Sequence, residues 1–260
     1  MIERIPFGKC PLCECPELAD AATGDCSGHP LYHSSLSPLI RWKRCIACAH
    51  VFTEGYYTDE SSKLIFSRTH EPQQAGADME QQRFASAHIV EKVLPYVSAG
   101  IWMDVGFGNG SLLFTAQEYG FKPLGLDLRA ANVEAMAAFG IEARCQDITE
   151  LSLESRCAVI SMADVVEHVP YPKAPLRAAR QLLAGAGVLF ISMPNMESVL
   201  WKTLDRQMAN PYWAEIEHYH NFGRSRLYAL LREVGFEPVR YGVSERYRAC
   251  MEVIAKKSGS

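Results

Sequence analysis

The sequence predicts a doubly wound α/β fold preceded by a small cysteine-rich unit. From Ile101 onward, short apolar runs alternate with helical stretches, a pattern typical of parallel strands joined by right-handed crossovers. Six of the nine cysteines lie before residue 50, in a stretch rich in Pro, Gly, His and Ser. A segment of that composition needs a staple such as a bound metal to fold.

The composition suits a globular protein with a sizeable core. The chain has 260 residues and a hydrophobic content of 48%, enough for one full α/β domain and an appendage. Its formal net charge is −4, so no overall field attracts nucleic acid or an anionic membrane. No apolar run approaches the roughly 18 residues of a membrane-spanning helix, and residues 1–6 lack the apolar stretch of a secretion signal. We therefore expect a cytoplasmic protein that does not engage a membrane.

The α/β part is expected to contain seven strands and the helices between them. The predicted strands are 101–105, 123–127, 141–146, 157–162, 187–193, 236–243 and 248–256. The predicted helices are 78–96, 110–120, 130–139, 172–184 and 224–234. A short connection separates the last two strands, which favours antiparallel pairing. The sheet should thus be mostly parallel, with its last strand antiparallel.

Three regions are expected along the chain. Residues 1–55 form the cysteine-rich unit, 56–98 a helical linker that covers the ligand site, and 99–260 the α/β domain. An aromatic stretch at about 195–223 is a candidate lid over a substrate. Its rings are Trp201, Tyr212, Trp213 and Tyr219. Packing of these rings against the sheet is the alternative.

Two CxxC pairs occur in the first region. They are formed by Cys10, Cys13, Cys45 and Cys48. The turn in each pair directs two thiolates to one tetrahedral ion, so the spacing predicts a structural Zn²⁺ site. The alternatives are buried unpaired thiols and a redox motif, although the surroundings lack the βαβ framework of a redox site. Cys15, Cys26 or a nearby histidine could replace one of the four ligands.

A glycine-rich loop follows the first strand of the α/β part. It reads Asp104-Val105-Gly106-Phe107-Gly108-Asn109-Gly110. Glycine permits positive φ and lets a ligand touch the backbone without meeting a Cβ, and α/β sheets bind ligands at such loops. Dinucleotide dehydrogenases use GxGxxG, whereas here Ser111 takes the third glycine position. The spacing present is GxGxG preceded by an acidic residue.

Four further stretches follow the loop in order. They are Leu124–Asp127, Gln146–Ile148, Val159–Pro170 with its Glu-His-Val-Pro end, and Glu217–Phe222 with Gly235-Phe236 after it. With the loop, they resemble the class I S-adenosylmethionine (SAM)-dependent methyltransferases. The "EHV" and "EHxHxF" elements are similar to the small-molecule branch that includes ubiquinone-biosynthesis O-methyltransferases. The resemblance implies a Rossmann-like fold and an enzyme that binds SAM.

The resemblance also implies which residues hold SAM. They are Asp104, Gly106, Phe107, Gly108, Gly110, Asp127, Leu128, Asp147, Ile148, Met162 and Ala163. Asp127 would hold the ribose diol, Asp147 and Ile148 would face the adenine, and Met162 and Ala163 would lie beside the sulfonium. Either aspartate could instead be a helix N-cap.

Three histidines are candidate general bases: His168, His218 and His220. Methyl transfer from a sulfonium is an in-line displacement that needs alignment and, for some acceptors, removal of a proton. Histidine suits that task because it titrates near neutral pH. The resemblance places both histidine-bearing segments near the mouth of the cofactor cleft. A packing or hydrogen-bonding role is the alternative for each.

A cysteine ribbon before a methyltransferase core resembles two groups. One comprises bacterial enzymes of natural-product, sugar and glycan pathways, and the other comprises rRNA guanine methyltransferases whose zinc unit binds RNA. RNA affinity depends on many Lys and Arg side chains, and residues 4–44 contain only five. We therefore expect a small-molecule acceptor, with RNA as the alternative. A non-catalytic SAM- or zinc-binding protein and an oxidoreductase are further alternatives. The acceptor atom (O, N or C) and the oligomeric state stay open.

Overall fold

The structure is a computed structural model that describes residues 4–66, 74–153, 156–247 and 249–259. Residues 67–73 of the predicted linker and residue 248 of the predicted last strand lie outside the described residues. The chain divides into two compact units. The first comprises residues 1–69, 166–172 and 194–227, and the second comprises residues 70–165, 173–193 and 228–260.

After residue 100, helices separate most of the described strands. The strands are β1 (Ile5–Pro6), β2 (Leu18–Asp25), β3 (Leu39–Cys45), β4 (Val51–Thr53), β5 (Gly55–Tyr56), β6 (Ile101–Val105), β7 (Lys122–Leu126), β8 (Glu142–Arg144), β9 (Cys157–Ala163), β10 (Leu183–Pro194), β11 (His220–Asn221), β12 (Phe236–Val243) and β13 (Cys250–Lys257). The helices are α1 (Asp59–Phe66), α2 (Met79–Val93), α3 (Ser111–Glu118), α4 (Ala130–Ala138), α5 (Lys173–Leu182), α6 (Val199–Arg206) and α7 (Arg224–Glu233). None of the helices in these ranges is both long and apolar enough to cross a bilayer.

The first unit contains a four-stranded antiparallel sheet in the order β11-β4-β3-β2. Alternate side chains of β3 are buried, Ile40 and Trp42 among them, because successive strand residues point to opposite faces. β11 comes from the aromatic stretch, and its His220 lies opposite Phe52 of β4. That stretch therefore shares a sheet with the cysteine-rich segment, although 170 residues separate the two.

The second unit contains the predicted seven-stranded sheet, in the order β12-β13-β10-β9-β6-β7-β8. Strands β6 to β10 pair in parallel, and β12 and β13 pair antiparallel. The α/β fold class is confirmed. β10 begins at Leu183 rather than at the predicted 187 because α5 stops at Leu182. Gly187 lets β10 approach β9, since a Cβ there would lie 2.9 Å from the Ala158 carbonyl oxygen.

The core of the second unit lies between the sheet and α2. Trp102 and Phe190 are fully buried and pack with Ile89, Val90 and Val93 of that helix. The predicted helix 78–96 thus supplies an apolar face to the sheet. This packing fixes β6, the strand that leads into the glycine-rich loop.

Candidate active site

The glycine-rich loop connects the end of β6 to the start of α3. Gly106, Gly108 and Gly110 have φ values of 66°, 56° and 79°, which side-chain-bearing residues rarely adopt. The Gly106 N–H donates to the carbonyl of Leu126 in β7 at 2.7 Å. The loop is therefore fixed to the neighbouring strand at the carboxyl end of the sheet, where α/β folds bind ligands.

Packing requires two of these glycines, whereas the third faces open space. A Cβ on Gly106 would lie 2.9 Å from Val165, and one on Gly110 would lie 2.8 Å from Met136. A Cβ on Gly108 would meet nothing closer than the Gly106 carbonyl oxygen, at 4.0 Å. Among the described residues, the space beside Gly108 is left unfilled. Such a cradle suits a ligand that lies directly against the backbone.

The Phe107 ring faces the core of the second unit. It is 4% exposed and packs with Leu113, Met136 and Ile141. A Cβ on Gly125 would lie 2.7 Å from this ring, so glycine is needed beneath it. Phe107 therefore offers its backbone, rather than its ring, to a ligand at the loop.

Asp104 is a buried carboxyl group in β6. It accepts a 2.6 Å hydrogen bond from the Ser161 hydroxyl, which in turn accepts one from the Trp102 indole at 2.9 Å. Burial raises the pKa of Asp104 to about 7, although the Ser161 bond opposes the rise. Sequence reasoning did not predict these partners: Ser161 lies in the Val159–Pro170 stretch but was assigned no role, and Trp102 lies outside the motifs. A cation beside Asp104 would favour its charged form.

Asp127 follows β7 and is 5% exposed. Its Oδ1 accepts hydrogen bonds from the Arg129 backbone N–H and side-chain Nε, each at 2.9 Å, and its Oδ2 accepts one from Nη2 at 2.7 Å. Sequence reasoning did not predict Arg129 as a partner of Asp127. The bond from the Arg129 backbone N–H is that of an Asx turn, in which an Asp side chain accepts from the backbone two residues later. The neighbouring Leu128 side chain is 71% exposed.

The remaining predicted cofactor residues differ in how much of their surface is exposed. Asp147 caps the short 3₁₀ turn Ile148–Glu150, and its Oδ1 accepts from the Thr149 N–H at 2.7 Å. Ile148 is 3% exposed and Met162 is fully buried, whereas Ala163 at the end of β9 is half-buried. Ala163 thus has more surface to offer a ligand than Met162.

His220, in the first unit, uses both ring nitrogens within the protein. Its Nε2 donates to the Val169 carbonyl at 2.9 Å, and its Nδ1 accepts from His50 Nε2 at 3.0 Å. Burial lowers the pKa of His220 to about 4 and that of His50 well below its ordinary value. No ring nitrogen of His220 is left to take a substrate proton. His50 is one of the nearby histidines considered as a spare zinc ligand; its bond to His220, 170 residues away, could not be predicted from local sequence.

His168 and His218 form a close pair in the same unit. Their ring centroids are 4.7 Å apart at an interplanar angle of 80°. His168 Nδ1 lies 3.0 Å from the Glu217 carbonyl, to which it donates, so its Nε2 keeps a lone pair. His218 is 7% exposed, and its Nδ1 is buried with no hydrogen-bond partner among the described residues. Burial lowers the pKa of His218 to about 3.

Two acidic side chains accompany this pair. Glu167, His168 and His218 offer ligand atoms within 4.8 Å of one another, a set that suits a divalent cation. Glu215 pairs with His29 at 2.6 Å. Although burial acts in the opposite direction, the His29 hydrogen bond holds the pKa of Glu215 at about 2. His29 Nδ1 accepts from the Leu31 backbone N–H and its Nε2 donates to Glu215, so both ring nitrogens of His29 are used within the protein.

The four cysteines of the two CxxC pairs come together in the first unit. All four Sγ atoms lie within 4.8 Å of one another, and two cross-pair distances are 3.7 Å (Cys10 to Cys48) and 3.4 Å (Cys13 to Cys45). Zn–S bonds of about 2.3 Å in a tetrahedron place sulfurs about 3.8 Å apart. Burial raises the pKa of Cys48 to about 11, so a cation is needed to hold the thiolates together.

The two cysteine turns have the same backbone form. The N–H of Glu14 donates to the Cys10 carbonyl at 2.9 Å, and that of Ala49 donates to the Cys45 carbonyl at 3.0 Å. Glu14 and Ala49 both have positive φ, 62° and 57°. The two spare cysteines lie outside the cluster: Cys26 Sγ donates to the Ser37 carbonyl and Cys15 Sγ to the Glu17 carbonyl.

The rings of the aromatic stretch pack on one another and on β3. Trp201 stacks on Tyr212 with centroids 5.0 Å apart, and Trp213 meets Trp201 and Trp42 edge-on at 5.4 and 5.6 Å. The Trp42 indole donates to the Trp213 carbonyl at 2.9 Å. The described contacts of these rings are thus those of a structural cluster.

Comparison with known families identifies the larger part of the chain. A family model described as a methyltransferase domain matches residues 78–241. Ubiquinone biosynthesis O-methyltransferase from Nitrosococcus oceani is 29% identical over 147 residues, which are 52% of this chain and 62% of that protein. The protein of the same name from Xanthomonas oryzae pv. oryzae is 31% identical over 116 residues, 39% of this chain and 48% of that protein. The match thus spans less than two thirds of either relative.

Solved structures share the fold at low identity. The 1,6-didemethyltoxoflavin-N1-methyltransferase of Burkholderia thailandensis, with bound S-adenosylhomocysteine (SAH), is 17% identical with a TM-score of 0.57, covering 82% of this chain and 98% of that one. Magnesium protoporphyrin IX methyltransferase from Synechocystis, also with SAH, is 17% identical with a TM-score of 0.55, covering 68% and 84%.

The family model covers more than half of the chain, the sheet has the seven strands that were predicted, and the glycine-rich loop lies at its carboxyl edge. The chain belongs to the class I SAM-dependent methyltransferases.

Proposed function

We propose that this enzyme moves a methyl group from SAM to an O, N or C atom of a small metabolite, natural-product intermediate or sugar. The observation that carries the proposal is the open backbone at Gly108, beside two glycines whose neighbours are packed. Relatives named as ubiquinone biosynthesis O-methyltransferases, and a structure named as an N1-methyltransferase of a small heterocycle, support a small-molecule acceptor. The net charge of −4 gives no support to RNA.

The residues at the carboxyl edge of the sheet suit the parts of SAM. Bound SAM supplies an electrophilic methyl group. Asp104 favours a cationic amino group, and Asp127 accepts hydrogen bonds from the ribose diol. Asp147, with Leu128 and Ile148, is assigned to the adenosine, and Met162 and Ala163 to the sulfonium end. The protein's task is alignment, because in-line displacement needs collinear atoms rather than a covalent nucleophile.

The cradle at Gly108 can be filled without disturbing its neighbours. Gly108→Ala would add a Cβ to the open space, so we expect SAH affinity to fall at least about 10-fold in isothermal titration. Gly140→Ala is the matched control, because Gly140 also has positive φ (70°) and open surroundings. Equal SAH affinity in the two variants would contradict the assignment of the cradle.

Asp104 gives the binding of SAH a pH dependence. Its pKa of about 7 means that it is mostly protonated below neutrality, whereas the ligand's ammonium group favours the charged form. Binding must then displace a proton at low pH. We expect SAH affinity to rise between about pH 5 and 7 and to level off above that range. Asp104→Asn should bind more weakly and show no such rise; a rise of the same size in that variant would count against Asp104.

We further propose His218 and His168 as the groups that take a proton from the acceptor, with His218 as the general base. His218 is neutral at physiological pH and has an unpartnered Nδ1 within the described residues. His220 is assigned a structural role, because its two nitrogens are occupied.

The histidines can be separated by two readouts. His218→Ala should lower methyl transfer from labelled SAM by about 100-fold or more while SAH affinity stays intact. His220→Ala should instead lower the free energy of unfolding by about 1–3 kcal/mol, because it leaves the buried His50 Nε2 without its partner. His33→Ala is the control, since the hydrogen bonds of the His33 ring are made to nearby Ser35 in the described part of the chain. Full turnover in both His218→Ala and His168→Ala would exclude them as bases. Turnover of the wild-type enzyme measured with and without a chelator shows whether the step depends on a divalent cation.

The N-terminal region, residues 1–55, is proposed to bind one structural Zn²⁺ through Cys10, Cys13, Cys45 and Cys48. In the proposed organisation, residues 56–98 are the helical linker that covers the cofactor. Residues 99–260 are the SAM-binding domain, which includes the aromatic stretch at about 195–223 as a candidate lid. The sulfur spacing and the matching turns support the site. Zinc binding would contribute directly to the folding of the unit.

Metal analysis tests the zinc site. Protein purified without chelator should carry about one zinc per chain, and Cys13→Ser should lose most of it because three thiolates bind far less tightly than four. Cys145→Ser is the control, since Cys145 is exposed and lies outside the cluster. Well under one zinc per chain in the wild-type protein would overturn the proposal.

A further inference from the structure

Arg129 occupies the carboxylate that the proposed function assigns to the ribose. Its Nε and Nη2 donate to the two oxygens of Asp127 at 2.9 and 2.7 Å. This is the fork arrangement in which a guanidinium covers one edge of a carboxylate. We infer that Arg129 competes with the cofactor for Asp127, so that SAM binds only when the guanidinium leaves.

The hydrogen-bond capacity of Asp127 makes the two partners exclusive. A carboxylate oxygen accepts about two hydrogen bonds, and Oδ1 already takes two: one from the Arg129 backbone N–H and one from Nε, each at 2.9 Å. A ribose diol would donate to both oxygens of the same carboxylate. One existing bond to Oδ1 must therefore break when the diol arrives.

The side chain of Arg129 is the partner that can move. The Arg129 backbone N–H is fixed, because the residue is the N-cap position of α4. Its side chain is 22% exposed, whereas that of Asp127 is 4% exposed. The guanidinium can turn toward solvent, and the buried carboxylate cannot turn toward a second site. Arg129 thereby lowers cofactor affinity by the free energy needed to break its fork.

A purely supporting role predicts the opposite result. If Arg129 only oriented Asp127, its removal would loosen the carboxylate and weaken cofactor binding. If it competes, its removal takes the guanidinium off both oxygens, leaves Oδ1 with the backbone N–H alone, and strengthens binding. Since the pair is partly exposed, we expect a modest effect, a roughly 3- to 10-fold tightening.

Titration calorimetry with SAH tests the inference on the full chain. Arg129→Ala and Arg129→Gln should both bind SAH more tightly than the wild type. Arg232→Ala is the matched control: Arg232 makes a similar two-bond fork with Glu237, at 3.1 and 2.8 Å, on an exposed surface. Its SAH affinity should be unchanged. Unfolding curves for each variant check that the fold is intact.

A 2′,3′-dideoxy analogue of SAH isolates the diol. Because it has no hydroxyls to compete, Arg129→Ala should change its affinity much less than that of SAH. Unchanged or weaker SAH binding in both Arg129 variants would overturn the inference, as would equal tightening for the analogue.

The inference rests on the proposed function, and Asp127→Asn separates the two. If this variant weakens SAH binding while the Arg129 variants do not tighten it, competition is disproved and the ribose assignment stands. If Asp127→Asn leaves SAH affinity unchanged, the ribose assignment itself fails and the inference fails with it.

Discussion

The hydrogen bond from the Gly106 N–H to the Leu126 carbonyl holds the glycine-rich loop against β7, and the ligand site depends on it. With that bond in place, the loop turns back at the end of β6 through three residues of positive φ. Val165 and Met136 close two sides of the turn, and Gly108 keeps the third open. Among the described residues, no side chain fills the space beside Gly108, so the loop presents its backbone there.

Two carboxyl groups lie on the strands that this bond joins, and their environments differ. Asp104 is held by neutral donors and has a raised pKa because it is buried. Asp127 is held by a guanidinium at both oxygens. Burial disfavours the charged form of Asp104, and the Ser161 hydrogen bond and the positive charge of Arg246 partly oppose that effect; a ligand cation would oppose it further. In the proposed function, by contrast, a ribose diol must displace the guanidinium from Asp127. If the proposed function holds, the two carboxyl groups have opposite effects on cofactor affinity.

The hydrophobic pattern of the sequence predicted several strands of the second unit almost to the residue. β6 has its predicted bounds, and β7 and β9 differ from prediction by one residue, because compact apolar runs between polar or glycine borders are strong local signals. The GxGxG spacing predicted the loop, and the CxxC spacing predicted the four cysteines that the fold brings together. Each of these features depends on neighbours within a few residues.

Long-range pairing could not be predicted in the same way. β11 pairs with β4, and His50 forms a hydrogen bond with His220. The partners lie about 170 residues apart, so no pattern within a short stretch of sequence indicates that they meet. β2 has the sequence Leu-Ala-Asp-Ala-Ala-Thr-Gly-Asp, which lacks the β-branched and aromatic residues that mark strands. The fork between Arg129 and Asp127 depends on a side-chain rotamer, and no spacing rule distinguishes an Arg that turns inward from one that faces water.

Calorimetric titration of the wild-type protein with SAH and, separately, with NAD is the most direct test of the loop as an adenosyl-amino-acid site. The account predicts saturable binding of one SAH per chain and no binding of NAD. Binding of NAD in the absence of any SAH binding would contradict it, because the same loop would then serve a dinucleotide.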